Sequence, residues 1–220
     1  MSHDDFDFEP IRGLPAALPV GEQLLWQGSP DWKSLAVRAY HVRKVGLYFL
    51  ALVAWRVGVG ISNGHEASAI AVSCAFLVVL GGIAMGVLAL LAYLSARSTV
   101  YSVTSRRVLL RHGVAVPMTM NIPFKLIEAA ALKTHSDGTG DVAFTVPQDQ
   151  RVGYLITWPH LRPGQITRPC PSFRSLTDAA HAAEILSAAL AADAGTSPVR
   201  IVAAEETQGT GFKPRTAAAA

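Results

Sequence analysis

The chain has 220 residues, 50% of them hydrophobic and only 16% charged, with a formal net charge of +3 and a mean hydropathy of +0.31. Disordered chains are poor in apolar residues and rich in charge, so that class is excluded for the chain as a whole. Two cysteines exclude a disulfide-rich secreted scaffold, and the length allows one or two domains.

Residues 1–9 (MSHDDFDFE) hold acids and no Lys or Arg. They read as a mobile acidic arm, or as a docking peptide that uses Phe6 and Phe8. Pro10 to Pro19 is an extended, proline-limited segment. Glu22 to Trp32 (EQLLWQGSPDW) is a short apolar stretch that ends in a Gly-Ser-Pro-Asp turn. Residues 1–32 are thus expected to form an N-terminal arm and a Trp/Pro turn segment. Over 33–44, Leu35, Ala39 and Val42 share one helical face, while Ser34, Arg38 and His41 share another. That spacing predicts an interfacial helix feeding a membrane span.

Residues 45–94 carry most of the hydrophobicity. Val45 to Ile61 contains one charge, Arg56, and Ala67 to Leu94 contains none. A bilayer core of about 30 Å needs roughly 20 apolar helical residues. The second run is long enough to span with tilt. The first is marginal unless it borrows residues from Tyr40 to Lys44, and Arg56 can snorkel to the far interface beside Trp55. Ser62 to Glu66 (SNGHE) makes a tight connection, which predicts a helical hairpin. Gly81-Gly82 could break the second run and add a crossing, but no polar turn separates the halves.

Lys33, Arg38, Arg43 and Lys44 precede the first span; Arg97, Arg106, Arg107 and Arg111 follow the second; the connecting loop has no Lys or Arg. The positive-inside rule then places both termini in the cytoplasm. The first span begins too late to be a cleaved signal peptide. Basic residues near the spans suit an anionic leaflet. A nucleic-acid surface would need a denser basic stripe with interleaved aromatics.

Beyond the hairpin the pattern turns to period two. Ser98–Thr104, Val108–Arg111, Met118–Ile122, Ile127–Lys133, Val142–Val146 and Tyr154–Trp158 are strand candidates. Turn residues separate them, including the Gly138-Gly140 segment, which reads as a hairpin turn. Ser175–Ala192 is expected to be helical, capped by Ser175 or Thr177, with Leu176, Ala180, Ala183, Leu186 and Leu190 as its apolar stripe. Residues 95–192 are therefore expected to form an antiparallel β domain closed by a C-terminal helix, and 193–220 a disordered tail.

Little of this points to chemistry. The seven histidines are scattered, with no HExxH or paired CxxC spacing, so no metal site is expected. His135, Ser136 and Asp137 have the residue types of a triad, but neighbours on one loop do not place base and nucleophile. No catalytic or cofactor site is expected. Cys74 lies mid-span and Cys170 in a Pro-Cys-Pro loop, so both are expected as free thiols. Gly82 and Gly86 form a GxxxG pattern, which suits packing within the hairpin or contact with another helix. Arg38, Arg43, Lys44, Arg97, Arg106, Arg107 and Arg111 are candidates for lipid or partner contact, against a role in topology and salt bridging.

The order of parts resembles that of the bacterial pleckstrin-homology-like membrane proteins. A W-x-G-x-P turn (Trp26, Gly28, Pro30) precedes a membrane hairpin, and a Y-x-V-T-x-R-R strand (Tyr101, Val103, Thr104, Arg106, Arg107) opens the following domain. The segments FEPIRGLPAALPVGEQLLWQGSPDW, AYHVRKVGLYF, LSARSTVYSVTSRRV, DGTGDV and YLITWPHLRP are in addition similar to the PuhB family, photosynthetic reaction-centre assembly proteins of purple phototrophic bacteria. The likeness covers residues 6 to about 192.

That resemblance implies an α+β membrane protein: a two-helix transmembrane hairpin and a pleckstrin-homology-like domain. It implies a non-enzymatic assembly factor in the intracytoplasmic photosynthetic membrane. Its partners would be reaction-centre subunits or assembly intermediates, the core light-harvesting complex and a second copy of itself; anionic lipid is expected from the basic residues beside the spans. The spans contain no histidine, and His41 and His65 only flank the first, which disfavours stoichiometric pigment binding. The wider group leaves a different expectation open, a general lipid-sensing or stress protein.

Overall fold

The computed structural model describes residues 12–147, 153–164, 169–194 and 202–203. The acidic arm over 1–9 and most of the tail lie outside them. The elements in order are β1 (Leu24–Gly28), α1 (Trp32–Arg38), α2 (Val42–Ser62), α3 (Ala67–Ser98), β2 (Val100–Thr104), β3 (Arg107–His112), β4 (Met118–Pro123), a 3₁₀ turn (Phe124–Leu126), β5 (Ala129–Thr134), β6 (Gly140–Thr145), α4 (Tyr154–Thr157), β7 (Ser172–Leu176), α5 (Ala179–Ala194) and β8 (Val202–Ala203).

The hairpin takes shape as expected, with its ends moved. α2 borrows Val42 to Lys44 and so reaches 21 residues. α3 runs unbroken for 32 residues through Gly81 and Gly82, so the apolar run is one helix and not two. A long apolar helix in a soluble core is mostly buried; here only 6% of each apolar window is. Leu47, Leu50, Trp55, Val72, Phe76 and Ile83 face outwards. Both helices are long and apolar enough to span a membrane. Between them Gly46 lies against Met85, Gly81 against Phe49 and Gly60 against Ile70, and Arg56 donates to the Ser73 hydroxyl at 3.1 Å. Arg56 is thus engaged across the hairpin.

These antiparallel pairs put Val42 level with Leu88. Residues 89–98 of α3 therefore extend past α2 by about 15 Å. That extension packs on α1: Leu35, Ala36, Ala39 and Tyr40 bury against Ala92 and Ala96. The helix expected over 33–44 is two pieces. Tyr40 N–H returns to the Leu35 carbonyl, and His41 takes a left-handed conformation at φ 56°. One αL residue ends a helix and redirects the chain, so α1 and α2 point differently.

The soluble part has two sheets, ordered β1-β2-β3-β4 and β7-β6-β5-β8. All pairings are antiparallel except β5 with β8. Tyr101, Val103, Val108, Leu110, Ile122 and Phe124 of the first sheet region meet Val142, Phe144, Phe173 and Leu176 of the second. α5 closes this core with Ala179, Ala182, Ala183, Leu186 and Ala189.

Four expectations need correction. The Trp/Pro turn segment is not separate from the domain, because β1 pairs with β2 (Trp26↔Val103, Gly28↔Tyr101) and belongs to its first sheet. Tyr154–Trp158 is a one-turn helix, not a strand: Trp158 N–H bonds back to the Tyr154 carbonyl, and four apolar residues cannot fix a period. The last helix starts at Ala179, not Ser175. Ser175 (φ 53°) and Leu176 finish β7, and Ala180 is exposed while Ala179 and Ala182 are buried. Within the tail, Asp193 and Ala194 complete α5 and Val202–Ala203 form β8.

Candidate functional site

The two recognisable motifs build structure. Trp26 stacks on Phe173, centroids 5.9 Å apart, and its ring occupies the space where a Cβ on Gly28 would sit; only glycine fits there. Pro30 is buried. Asp31 N–H then bonds the Ser175 carbonyl at 2.8 Å, and its carboxylate caps α1 by accepting from Ser34 N–H at 2.7 Å. The Trp/Pro turn thus ties β1 and α1 to β7. Thr104 accepts from the Arg106 and Arg107 amides and donates to the Arg107 carbonyl, which fixes the tight turn from β2 to β3. Arg107 grips Glu22 with two bonds of 2.7 and 2.8 Å. Burial opposes the Glu22 charge, but the Arg107 bonds and the Thr104 hydroxyl outweigh it and its pKa falls.

Tyr101 opens a buried polar chain that joins the end of α3 to the β domain. Its hydroxyl meets His160 Nδ1 at 2.7 Å and accepts from Arg174 N–H at 3.2 Å. The other His160 nitrogen meets the Thr99 hydroxyl at 3.2 Å, and Thr99 itself donates to the Ser95 carbonyl. Arg174 Nε lies 3.2 Å from Asp141, whose carboxylate also receives Ser175 N–H and pairs with His135 at 3.2 Å. Burial drives the Tyr101 pKa up. Burial, then the neighbouring His112 and Arg174, drive that of His160 well below 6.5. Both His160 nitrogens are occupied within the protein, so the group holds elements together.

A second cluster latches α1 to the β5–β6 turn. Arg38 pairs with Asp137 at 3.1 Å, and Ser34 meets Thr139 at 2.9 Å. Burial disfavours the Asp137 charge, yet bonds from Thr139 and Arg38 hold its pKa well below the usual carboxylate range. His135 faces Asp141 while Asp137 faces Arg38, so the triad-like run diverges in space. Among the described residues, no group of three or more His, Cys, Asp or Glu side chains could hold a metal. Cys74 and Cys170 are free thiols, Cys170 buried.

The seven basic candidates separate into three places. Arg43 and Lys44 at the start of α2 and Arg97 at the end of α3 are exposed near the hairpin's open end. Arg38 and Arg111 lie partly and fully inside. Arg106 and Arg107 sit at the β2–β3 turn, the opposite end of β2 from α3, so they do not flank the span as their sequence position suggested. Four residues of strand carry them about 13 Å away. Gly82 and Gly86 would meet nothing within 4 Å if each bore a Cβ. They do not pack inside the hairpin; Gly46, Gly60 and Gly81 do.

The described latch (Ser34, Arg38, Asp137, Thr139) and the His160 chain were not visible as constellations in sequence. Their members lie up to 105 residues apart, and only the loops DGTGDV and YLITWPHLRP hinted that these stretches matter.

Comparison with known proteins follows the same layout. No solved structure matches. An "uncharacterized 23.7 kDa protein in puhA 5′ region" of Rhodobacter capsulatus is 38% identical over 205 residues, covering 93% of this chain and 95% of that protein. This agrees with the resemblance to the PuhB family. The family model described as "Bacterial PH domain" matches residues 45–190, taking in most of the hairpin and the strands β2 to β7, and the chain therefore belongs to the bacterial PH domain family.

Proposed function

We propose that this protein is an assembly factor for the photosynthetic reaction centre and its core light-harvesting complex, acting by transient binding of membrane subunits or intermediates. The observation that carries this reading is the relative aligned almost end to end, whose description places it in the puhA 5′ region; puhA is a reaction-centre gene. The geometry supports binding over turnover. The His160 chain and the Ser34–Asp137 latch are engaged within the fold, whereas the hairpin presents a broad apolar surface outwards. In lipid, such a surface contacts other helices through packing, and small outward residues such as Gly82 and Gly86 permit close approach. A client helix or a second copy of the chain can use the same face. Positive residues at the open end support a cytoplasmic soluble domain, which would there meet the cytoplasmic face of a client.

The test is an in-frame deletion in the source organism, read by near-infrared absorption of isolated membranes. A selective fall in reaction-centre and core-antenna bands, restored by the gene in trans, is expected. Unchanged bands in phototrophic growth would sink the reading. They would favour a lipid-sensing role for the exposed Arg43, Lys44 and Arg97, since that role is indifferent to photosynthesis.

A further inference from the structure

Outside the two long helices, the loop between β3 and β4 carries apolar side chains in the open. It runs Gly113-Val-Ala-Val-Pro117, followed by Met118. Val114, Val116 and Met118 are 45%, 69% and 41% exposed, and no residue from Gly113 to Pro123 is charged. The loop is built: Gly113 has φ +122°, and any side chain there would strike the Val116 carbonyl. Its form is fixed by the backbone, with the valines turned away from the core.

Its position follows from register. β2 begins at Val100, directly after α3 ends, and Val100 pairs with Arg111 of β3. β3 therefore returns to the end of the sheet where α3 arrives. The chain then continues beyond that level through His112 to Val114, three residues or about 10 Å. The same end holds the entry to α2. The His112 ring lies 5.2 Å from His160, and Trp158, two residues from His160, packs edge-on against Tyr40 at 4.9 Å. Tyr40 is two residues ahead of α2. Loop, half-exposed Trp158 and both open ends of the hairpin thus share one face of the domain.

We propose that the β3–β4 loop is a second membrane contact, with Val114, Val116 and Met118 seated in the interfacial layer of the bilayer that the hairpin crosses. The loop lies on the face of the domain that carries the hairpin's open ends, and the lack of charge over Gly113–Pro123 suits lipid better than a soluble partner. With Trp158 as an amphipathic ring at the same level, the domain lies against the membrane instead of swinging on α3.

The inference rests on the hairpin crossing a bilayer, so the experiment reports both. Nitroxide labels are placed singly at Val116→Cys, Leu47→Cys and Lys125→Cys in the full chain bearing Cys74→Ala and Cys170→Ala. The protein is reconstituted in vesicles of phosphatidylglycerol and phosphatidylcholine in equal parts. Collision with oxygen, which enters lipid, is compared with collision with a water-soluble nickel complex. The expected oxygen-to-nickel ratio at 116 is several-fold above that at 125, the exposed reference by the far turn, and approaches that at 47. A ratio equal to that at 125, with 47 still high, would overturn the loop contact alone. A label immobilised and shielded from both reagents would overturn it in favour of a protein partner or second copy. A low ratio at 47 would remove the spanning reading and the loop with it. If the cysteine-free background loses its native circular dichroism, quenching of Val116→Trp by brominated lipid, taken as the difference from the parent chain, decides in the same way: an added lipid-quenched component supports the contact, and none overturns it.

Discussion

At the scale of single residues, His160 is the most constrained titratable group described. In the unfolded chain a histidine titrates near 6.5; in the fold, burial first and the charges around it second hold it well below that. As pH drops through about 6.5 the unfolded chain binds a proton that the native chain refuses, so stability is full above that pH and declines below it. Burial shifts His112 in the same direction. His160→Gln should lower the apparent unfolding midpoint at neutral pH, by an equivalent of about 1–3 kcal/mol for the two disturbed hydrogen bonds. It should also flatten the decline between about pH 7 and 5.5. Thermal unfolding in detergent across that range checks it; an unaltered slope would place the pH sensitivity elsewhere. None of this was readable from the sequence. A histidine in a Trp-Pro-His loop carries no sign of being enclosed, because its partners Thr99 and Tyr101 lie about 60 positions earlier.

At the scale of elements, two adjacent glycines in α3 have opposite surroundings. A Cβ on Gly81 would lie 2.8 Å from the Phe49 ring, while one on Gly82 would touch nothing. Gly81→Leu should therefore force α2 and α3 apart at a cost of about 1–3 kcal/mol. Gly82→Leu should leave the hairpin intact and weaken only contacts with other helices. Chemical crosslinking for self-association, together with the thermal midpoint, separates the two. Equal damage from both substitutions would contradict the packing described. The sequence made the hairpin legible, since a charge-free run from Ala67 to Leu94 has few other uses. It could not say which glycines face inwards, because apolar residues cover the whole circumference of both helices. β2 to β6 were legible through alternation and turn residues. β1 and β7 were not: β1 finds its partner β2 only across the whole hairpin, and Ser172–Leu176 runs almost directly into an alanine-rich helix whose pattern extends backwards over it.

At the scale of the whole molecule, the hairpin is an insertion between the neighbouring strands β1 and β2. The family match begins at residue 45, yet the domain needs the chain before it. A protein beginning after Gly28 would lose the β1 edge, the Trp26–Phe173 stack and the Glu22–Arg107 pair together. Such a truncation should still enter membranes through its helices but present a protease-sensitive soluble part. Limited proteolysis of membranes checks this, and full resistance would show that β1 is dispensable.

The same placement has a consequence for biosynthesis. β1 leaves the ribosome first and has no partner until the entire hairpin has been made. If only one of the two helices crossed, β1 and β2 would be stranded on opposite surfaces of the bilayer, and the sheet could not form. With the hairpin crossing a bilayer as proposed, completion of the domain is a readout of correct insertion. A chain threaded wrongly keeps an open strand edge and an uncovered core, the features by which cells single out failed products for destruction.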